Sequence, residues 1–234
     1  MKTEVPQTIY LKDYSAPAYW IDTVDLDIDI GSAGATVAAI LSVRRNPDVA
    51  AQPLVLDGEE LEMLSVQVDG ADWPHESTDT SLTLADLPDA FTLQTRVRIR
   101  PDANTTLSGL YRSKDGYFTQ CEAQGFRRIT WFLDRPDVMS VYSVTLHADQ
   151  ANLPVLLANG NPVDAGVEEG GRHWARWVDP FRKPAYLFAV VAGKLDVLRD
   201  AFVTASGRTV QLAIYVEPGK LDQCMHAMAA LMKS

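Results

Sequence analysis

Within the run Thr119–Arg128, a carboxamide and a carboxylate stand two residues apart, at Gln120 and Glu122. In an extended chain residues i and i+2 point to the same side. The spacing therefore predicts two polar groups on one strand face, able to converge on a single ligand. A carboxylate beside a carboxamide suits a cation, and one charge-assisted hydrogen bond to an ammonium contributes about 1.5–3 kcal/mol, more than a neutral pair. Arg127 and Arg128 follow just after Gly125, and they offer a plainer reading, a salt bridge from Glu122 to one of them. On residue chemistry alone both readings stand.

Other groups with chemical potential are scattered. The histidines are His75, His147, His173 and His226. No two sit at i, i+4, so the His-Glu-x-x-His zinc pattern is absent, and each reads as a packed or surface residue. Asp22, Asp25, Asp27 and Asp29 lack the Gly and Glu spacing of a calcium loop and read as a solvated strand face. Cys121 and Cys224 are the only cysteines. They predict packing rather than reactivity, no disulfide framework and a reducing compartment. There is no Cys-x-x-Cys, P-loop, Gly-x-Gly-x-x-Gly or Gly-x-Ser-x-Gly word. Spacing alone yields no complete catalytic site.

The elements that must position these residues are mostly strands. Val24-Asp25-Leu26-Asp27-Ile28-Asp29-Ile30 alternates strictly, the mark of a half-buried strand. A turn at Gly31–Gly34 leads into a strand over 36–43. Asp57-Gly58 and Asp69-Gly70 close short apolar runs and predict type I′ turns. Further strands are expected over 81–84, 91–99, 107–113, 117–122, 138–147, 153–157, 173–178 and 186–191, with turns at Lys114–Gly116 and Asn159–Asn161. Short strands with close turns predict a mainly β fold, a sandwich or a large curved antiparallel sheet. A boundary near Gly193 separates residues 1–193 from residues 194–234. The latter read as a hairpin (195–204 with 209–216) and one helix, in which Leu221, Cys224, Met225, Met228, Leu231 and Met232 share a face.

A chain of 234 residues can bury a core in one large domain, or in one domain and part of another. A net charge of −10 argues against a nucleic-acid partner. Met1–Gln7 has no apolar stretch, which predicts no signal peptide. The longest apolar run, Ala185–Ala192, is too short to span a bilayer. The expected setting is cytoplasmic, away from membranes.

The words around Glu122 resemble a known family. Thr119-Gln120-Cys121-Glu122-Ala123-Gln124-Gly125-Phe126-Arg127-Arg128-Ile129-Thr130, followed by Phe132-Leu133-Asp134-Arg135-Pro136-Asp137-Val138, is similar to the amino-terminal domain of the bacterial aminopeptidase N family. These are zinc-dependent alanyl aminopeptidases of the gluzincin class. Asp13–Pro17, Leu110-Tyr111, Asn159–Asn161, Gly171–Trp174, Trp177–Phe181, Lys183-Pro184 and Leu187–Gly193 carry the same likeness, from about Tyr10 to the last residue.

The resemblance implies a saddle-shaped, mostly antiparallel β domain over 1–193, followed by the opening hairpin and helix of a thermolysin-like catalytic domain over 194–234. It implies that Glu122 binds the free α-ammonium of a peptide substrate and that Gln120 lines the first side-chain pocket. Alanyl and basic amino-terminal residues are the preferred ones. The zinc cofactor, its His-Glu-x-x-His ligands, the Gly-Ala-Met-Glu-Asn loop and the oxyanion tyrosine belong to words this sequence does not contain. The expectation is a portion of an enzyme that is inactive alone, partnered by the remaining catalytic and carboxy-terminal domains of the same protein. The rival expectations are a free-standing, non-catalytic β-sandwich binding module, and a scaffold relative with a degenerate zinc motif.

Overall fold

A computed structural model of the chain describes Thr8 and residues 10–233. Residues 1–7, the place where a leader was not expected, lie outside the described residues. The alternating segment forms β1 (Tyr19–Gly31), and β2 (Gly34–Arg45) pairs back against it across the expected turn. Val24, Leu26 and Ile28 of β1 are at most 1% exposed, while the aspartates between them point outward. The outward face is more than solvated. Arg44 and Arg182 bond Asp22 at 2.8 and 2.9 Å, Arg176 bonds Asp25 at 3.0 Å, and Arg172 pairs with Asp29. His147 stands between Asp27 (3.1 Å) and Glu168 (2.7 Å). Burial opposes the charge on Asp22, but the two arginine hydrogen bonds outweigh it and hold its carboxyl below the usual range.

Further along the chain come β3 (Leu54–Asp57), β4 (Glu62–Val68), β5 (Ala71–Asp72), β6 (Glu76–Ser77), β7 (Ser81–Leu84) and β8 (Ala90–Ile99). Asp69 and Gly70 both have positive φ, 50° and 81°, and join β4 to β5 as a tight turn. Asp57-Gly58 departs from the expectation. β3 pairs with β7, not with the next strand, and Asp57 bridges to Phe132. A Cβ on Gly58 would run into the Trp131 ring, so this glycine serves close packing rather than a hairpin.

The next strands are β9 (Gly109–Ser113), β10 (Gly116–Gln120), β11 (Met139–Asp149), β12 (Val155–Ala158), β13 (Asn161–Glu168), β14 (Arg172–Pro184) and β15 (Val190–Gly193). β13 was not expected from the sequence. It is exposed, at a sheet edge, and its Pro162 and Gly166 mask the alternation. The strand expected over 186–191 is a 3-10 turn (Ala185–Leu187) followed by β15.

One sheet runs β13-β14-β11-β1-β2-β8-β4-β5 and a second runs β12-β15-β10-β9, while β3, β7 and β6 form a third. The large sheet corrects the antiparallel expectation at one seam: β1 and β11 are parallel, Thr23 facing Val141 through Asp29 facing His147. All its other pairings are antiparallel. Inward residues of the three sheets share a single apolar core, with Leu26 and Leu93 meeting Leu54, Leu82, Leu110 and Val190 in one cluster. The expected hairpin is present as β16 (Asp196–Val203) and β17 (Thr209–Val216). The predicted helix is shorter, a 3-10 turn at Leu221–Cys224 leading into α1 (Met225–Leu231). Cys224 and Met228 are buried, but Met225 and Leu231 are exposed.

Candidate functional site

The strand that leads to Glu122 is β10. It is held on one side by β9, with Gln120 opposite Gly109, and on the other by β15. Pairing stops at Gln120, two residues before the expected end. Cys121 turns inward and is 2% exposed. The chain then doubles back: Gly125 N–H donates to the Cys121 carbonyl at 2.7 Å, and Arg128 N–H donates to the Gly125 carbonyl at 3.1 Å. Phe126 enters the core with its ring 4.9 Å from Phe132 and 5.0 Å from Phe188. Residues 122–124 are thus an exposed turn pinned at both ends by buried side chains. The Glu122–Ala123 peptide bond is cis.

Two glycines make this turn possible. A Cβ on Gly125 would strike the Gln120 carbonyl and come within 2.9 Å of Cys121 Cα and of Gly109 N. Gly109 has φ +73°, and a Cβ there would lie 2.6 Å from Arg128 Cβ. Strand end, turn and the following 3-10 segment are therefore in direct backbone contact.

Gln120 and Glu122 do not share a strand face, because the chain is no longer extended between them. The Gln120 carboxamide instead donates to the Glu122 backbone carbonyl at 3.3 Å. Both residues are exposed. Glu122 borders an open cleft of about 740 Å³ whose other walls include Glu59, Thr105, Thr106, Ser108 and Arg128.

The salt bridge considered for Glu122 is not formed. Arg127 Nε bonds Asp134 Oδ2 at 3.1 Å, and Asp57 stands 3.4 Å from its Nη1. Arg128 Nη1 bonds Glu59 at 2.8 Å. Its Nη2 lies 2.5 Å from a Glu60 oxygen, close enough for an ion pair but out of hydrogen-bond alignment. Each arginine is thereby held by two carboxylates, and among the described residues the Glu122 carboxylate has no ion-pair partner. The sequence carried a signal for this network, the acidic run Asp57-Gly58-Glu59-Glu60 opposite a double arginine, but as a turn motif it passed for a connection.

Burial, helped by the Asp134 charge, pushes the Cys121 thiol up to about 12. Burial also raises the Asp134 carboxyl, although the Arg127 side chain and backbone N–H oppose the shift. Two further histidines bond backbone carbonyls: His173 Nε2 is 2.8 Å from the Leu153 carbonyl and His75 Nδ1 is 2.9 Å from the Trp73 carbonyl. No three His, Cys, Asp or Glu side chains among the described residues come together to hold a metal ion. Even His147 has its two carboxylates on different ring nitrogens, a hydrogen-bonded relay rather than a chelate. These residues do not fit zinc. What the arrangement can do is present one free carboxylate, on a turn held by backbone hydrogen bonds at its ends, to a cation entering the cleft.

Residues 17–187 match the Peptidase M1 N-terminal domain family. The chain is 48% identical to aminopeptidase N of Caulobacter vibrioides over its full length and 46% identical to aminopeptidase N of Escherichia coli over 99% of it. It spans about 27% of the length of each of these relatives. Among solved structures, Legionella pneumophila aminopeptidase A in complex with aspartic acid superposes with a TM-score of 0.90 at 34% identity, over 95% of this chain and 27% of that one. An M1 zinc metallopeptidase of Deinococcus radiodurans shares the fold, with a TM-score of 0.72 at 17% identity over 86% of this chain and 48% of that one. No described helix is long and apolar enough to cross a membrane. With 171 of its 234 residues matched, from 17 to 187, this chain belongs to the Peptidase M1 N-terminal domain family.

Proposed function

We propose that this chain is the amino-terminal part of a zinc aminopeptidase that releases amino-terminal residues from peptides, alanyl and basic ones preferred. In this reading Glu122 binds the α-ammonium of the substrate and Gln120 forms part of the wall of the first side-chain pocket. Residues 194–234 are the start of the catalytic domain, and zinc is held by residues of the same enzyme outside this sequence. The observation that carries the reading is the free carboxylate of Glu122, fixed on a pinned turn at the cleft while its arginine neighbours are engaged elsewhere. An aminopeptidase must recognise a charged amine one residue from the scissile bond, and a carboxylate carried on a pinned backbone turn sets that distance. An acylated amine leaves the carboxylate unpaired, which discriminates against blocked peptides.

Exposed apolar side chains on β16 and α1, among them Val203, Met225 and Leu231, support the view that this region packs against more protein. They weigh against a free-standing module. Both cysteines are free, which fits a reducing cytoplasm. The test is a complete enzyme carrying this chain, assayed on alanyl p-nitroanilide and its N-acetyl form. The reading expects cleavage of the free amine only, lost on chelation and restored by zinc. Equal cleavage of the acetylated substrate, or activity indifferent to chelation, contradicts it.

A further inference from the structure

Glu122 stands without an ion-pair partner among the described residues, while two other carboxylates occupy Arg128. The two side chains border the same cleft, and the Arg128 backbone is bonded to Gly125, the residue that closes the Glu122 turn. An unengaged guanidinium there would find Glu122 the obvious acceptor, since Arg pairs readily with carboxylates. Instead Glu59 and Glu60 clamp it from two sides, and only 7% of its side chain is exposed. Arg128 Nε and Nη2 are buried without a hydrogen-bond partner, so the guanidinium is held mainly by charge and is not fully hydrogen-bonded by its clamp. The charge count is uneven, with three carboxylates (Glu59, Glu60, Glu122) around one cation. Two are spent on Arg128 and the third stays available.

We propose that Glu59 and Glu60 are positioning residues that hold Arg128 away from Glu122 and so keep the amine-binding carboxylate unpaired. The clamp acts on Glu122 through Arg128 and needs no contact with substrate. It rests on the reading of Glu122 as amine anchor, and its test separates the two.

In the complete enzyme, Glu59→Gln/Glu60→Gln frees Arg128 to pair with Glu122. The KM for alanyl p-nitroanilide then rises about tenfold, the weight of one charge-assisted hydrogen bond, with kcat within about twofold. Adding Arg128→Met keeps the buried stem and removes the competing charge, so KM returns toward the wild-type value. Loss of a direct Glu59–substrate contact would not be repaired by deleting a third side chain, whereas a merely structural defect from the unpaired buried cation would show as a lowered Tm in the double variant rather than as a change confined to KM. An unchanged KM in the double variant, or a triple variant no better than the double, overturns the proposal. Should the double variant fail to fold, Glu60→Gln alone, at an exposed position, is expected to raise KM about threefold, the weight of one loosened ion pair, and an unchanged value overturns the clamp. Glu122→Gln runs alongside. If it leaves KM unchanged the amine anchor itself is wrong, whereas a raised KM there with a wild-type KM in the double variant sinks only the clamp.

Discussion

Cys121 and Glu122 are adjacent and face opposite media. The thiol is buried in the core and the carboxylate borders an open cleft. With its ionisation pushed up to about 12, Cys121 is a neutral thiol at pH 8 and a poor nucleophile. Iodoacetamide at pH 8 is expected to leave Cys121 unlabelled in the native chain and to modify it after denaturation, as read by peptide mass spectrometry. Rapid native labelling would contradict its placement. The folded thiol ionises above the unfolded value of 9.0, so its contribution to stability is complete below pH 9 and is lost as the pH rises from there toward 12. Arg127 makes a second case at this scale. Its side chain, 16% exposed, is the cation for buried Asp134. Arg127→Met is expected to cost about 3 kcal/mol at pH 7, lowering Tm by roughly 6–12 °C. Asp134 already has a raised pKa and loses the arginine that opposed the rise. Its protonation relieves the uncompensated charge, so the deficit should narrow as pH falls toward 5. A deficit that widens on acidification would contradict this account.

Strand β1 separates two kinds of stabilisation on its two faces. Its inward side is apolar and fully covered, and its outward side carries ion pairs that are partly exposed, such as Arg176–Asp25 with both side chains 42% accessible. Leu26→Ala should therefore cost about 2–5 kcal/mol, whereas Asp25→Asn should cost under about 1 kcal/mol and lose its effect in high salt. Equal costs on the two faces, measured by urea unfolding, would contradict the packing. The turn at 121–125 is the other element with a sharp prediction. Gly125→Ala drives a methyl group into the Gln120 carbonyl and should destabilise the chain by about 1–3 kcal/mol. In the complete enzyme it should also weaken binding of free-amine substrates, because Glu122 moves with the turn.

At the scale of the molecule, period-two alternation made the strands legible, and tight-turn residues made the hairpins at 31–34, 69–70 and 114–115 legible too. The parallel seam between β1 and β11 was not, because alternation marks a strand's buried face and leaves its neighbour open. Gly58 misled for a related reason: a glycine written like a turn serves a tryptophan that arrives from far along the chain. The site was half legible. The residue types at 120 and 122 stood in the sequence, but the bend after Gln120 depends on Gly109 reaching Gly125, and the four carboxylates that engage Arg127 and Arg128 come from residues 57–60 and 134, which only the fold brings together. No three His, Cys, Asp or Glu side chains of the described residues come together, so this chain purified alone is expected to carry no stoichiometric zinc by elemental analysis and to leave alanyl p-nitroanilide uncleaved.

The central claim is that the free carboxylate of Glu122 is the amine anchor. Its most direct test is Glu122→Gln in the complete enzyme, comparing kcat/KM for a free-amine alanyl substrate with wild type. Loss of a charge-assisted hydrogen bond predicts a fall of about tenfold or more, carried by a raised KM with a loss in kcat beside it. An unchanged kcat/KM would contradict the account.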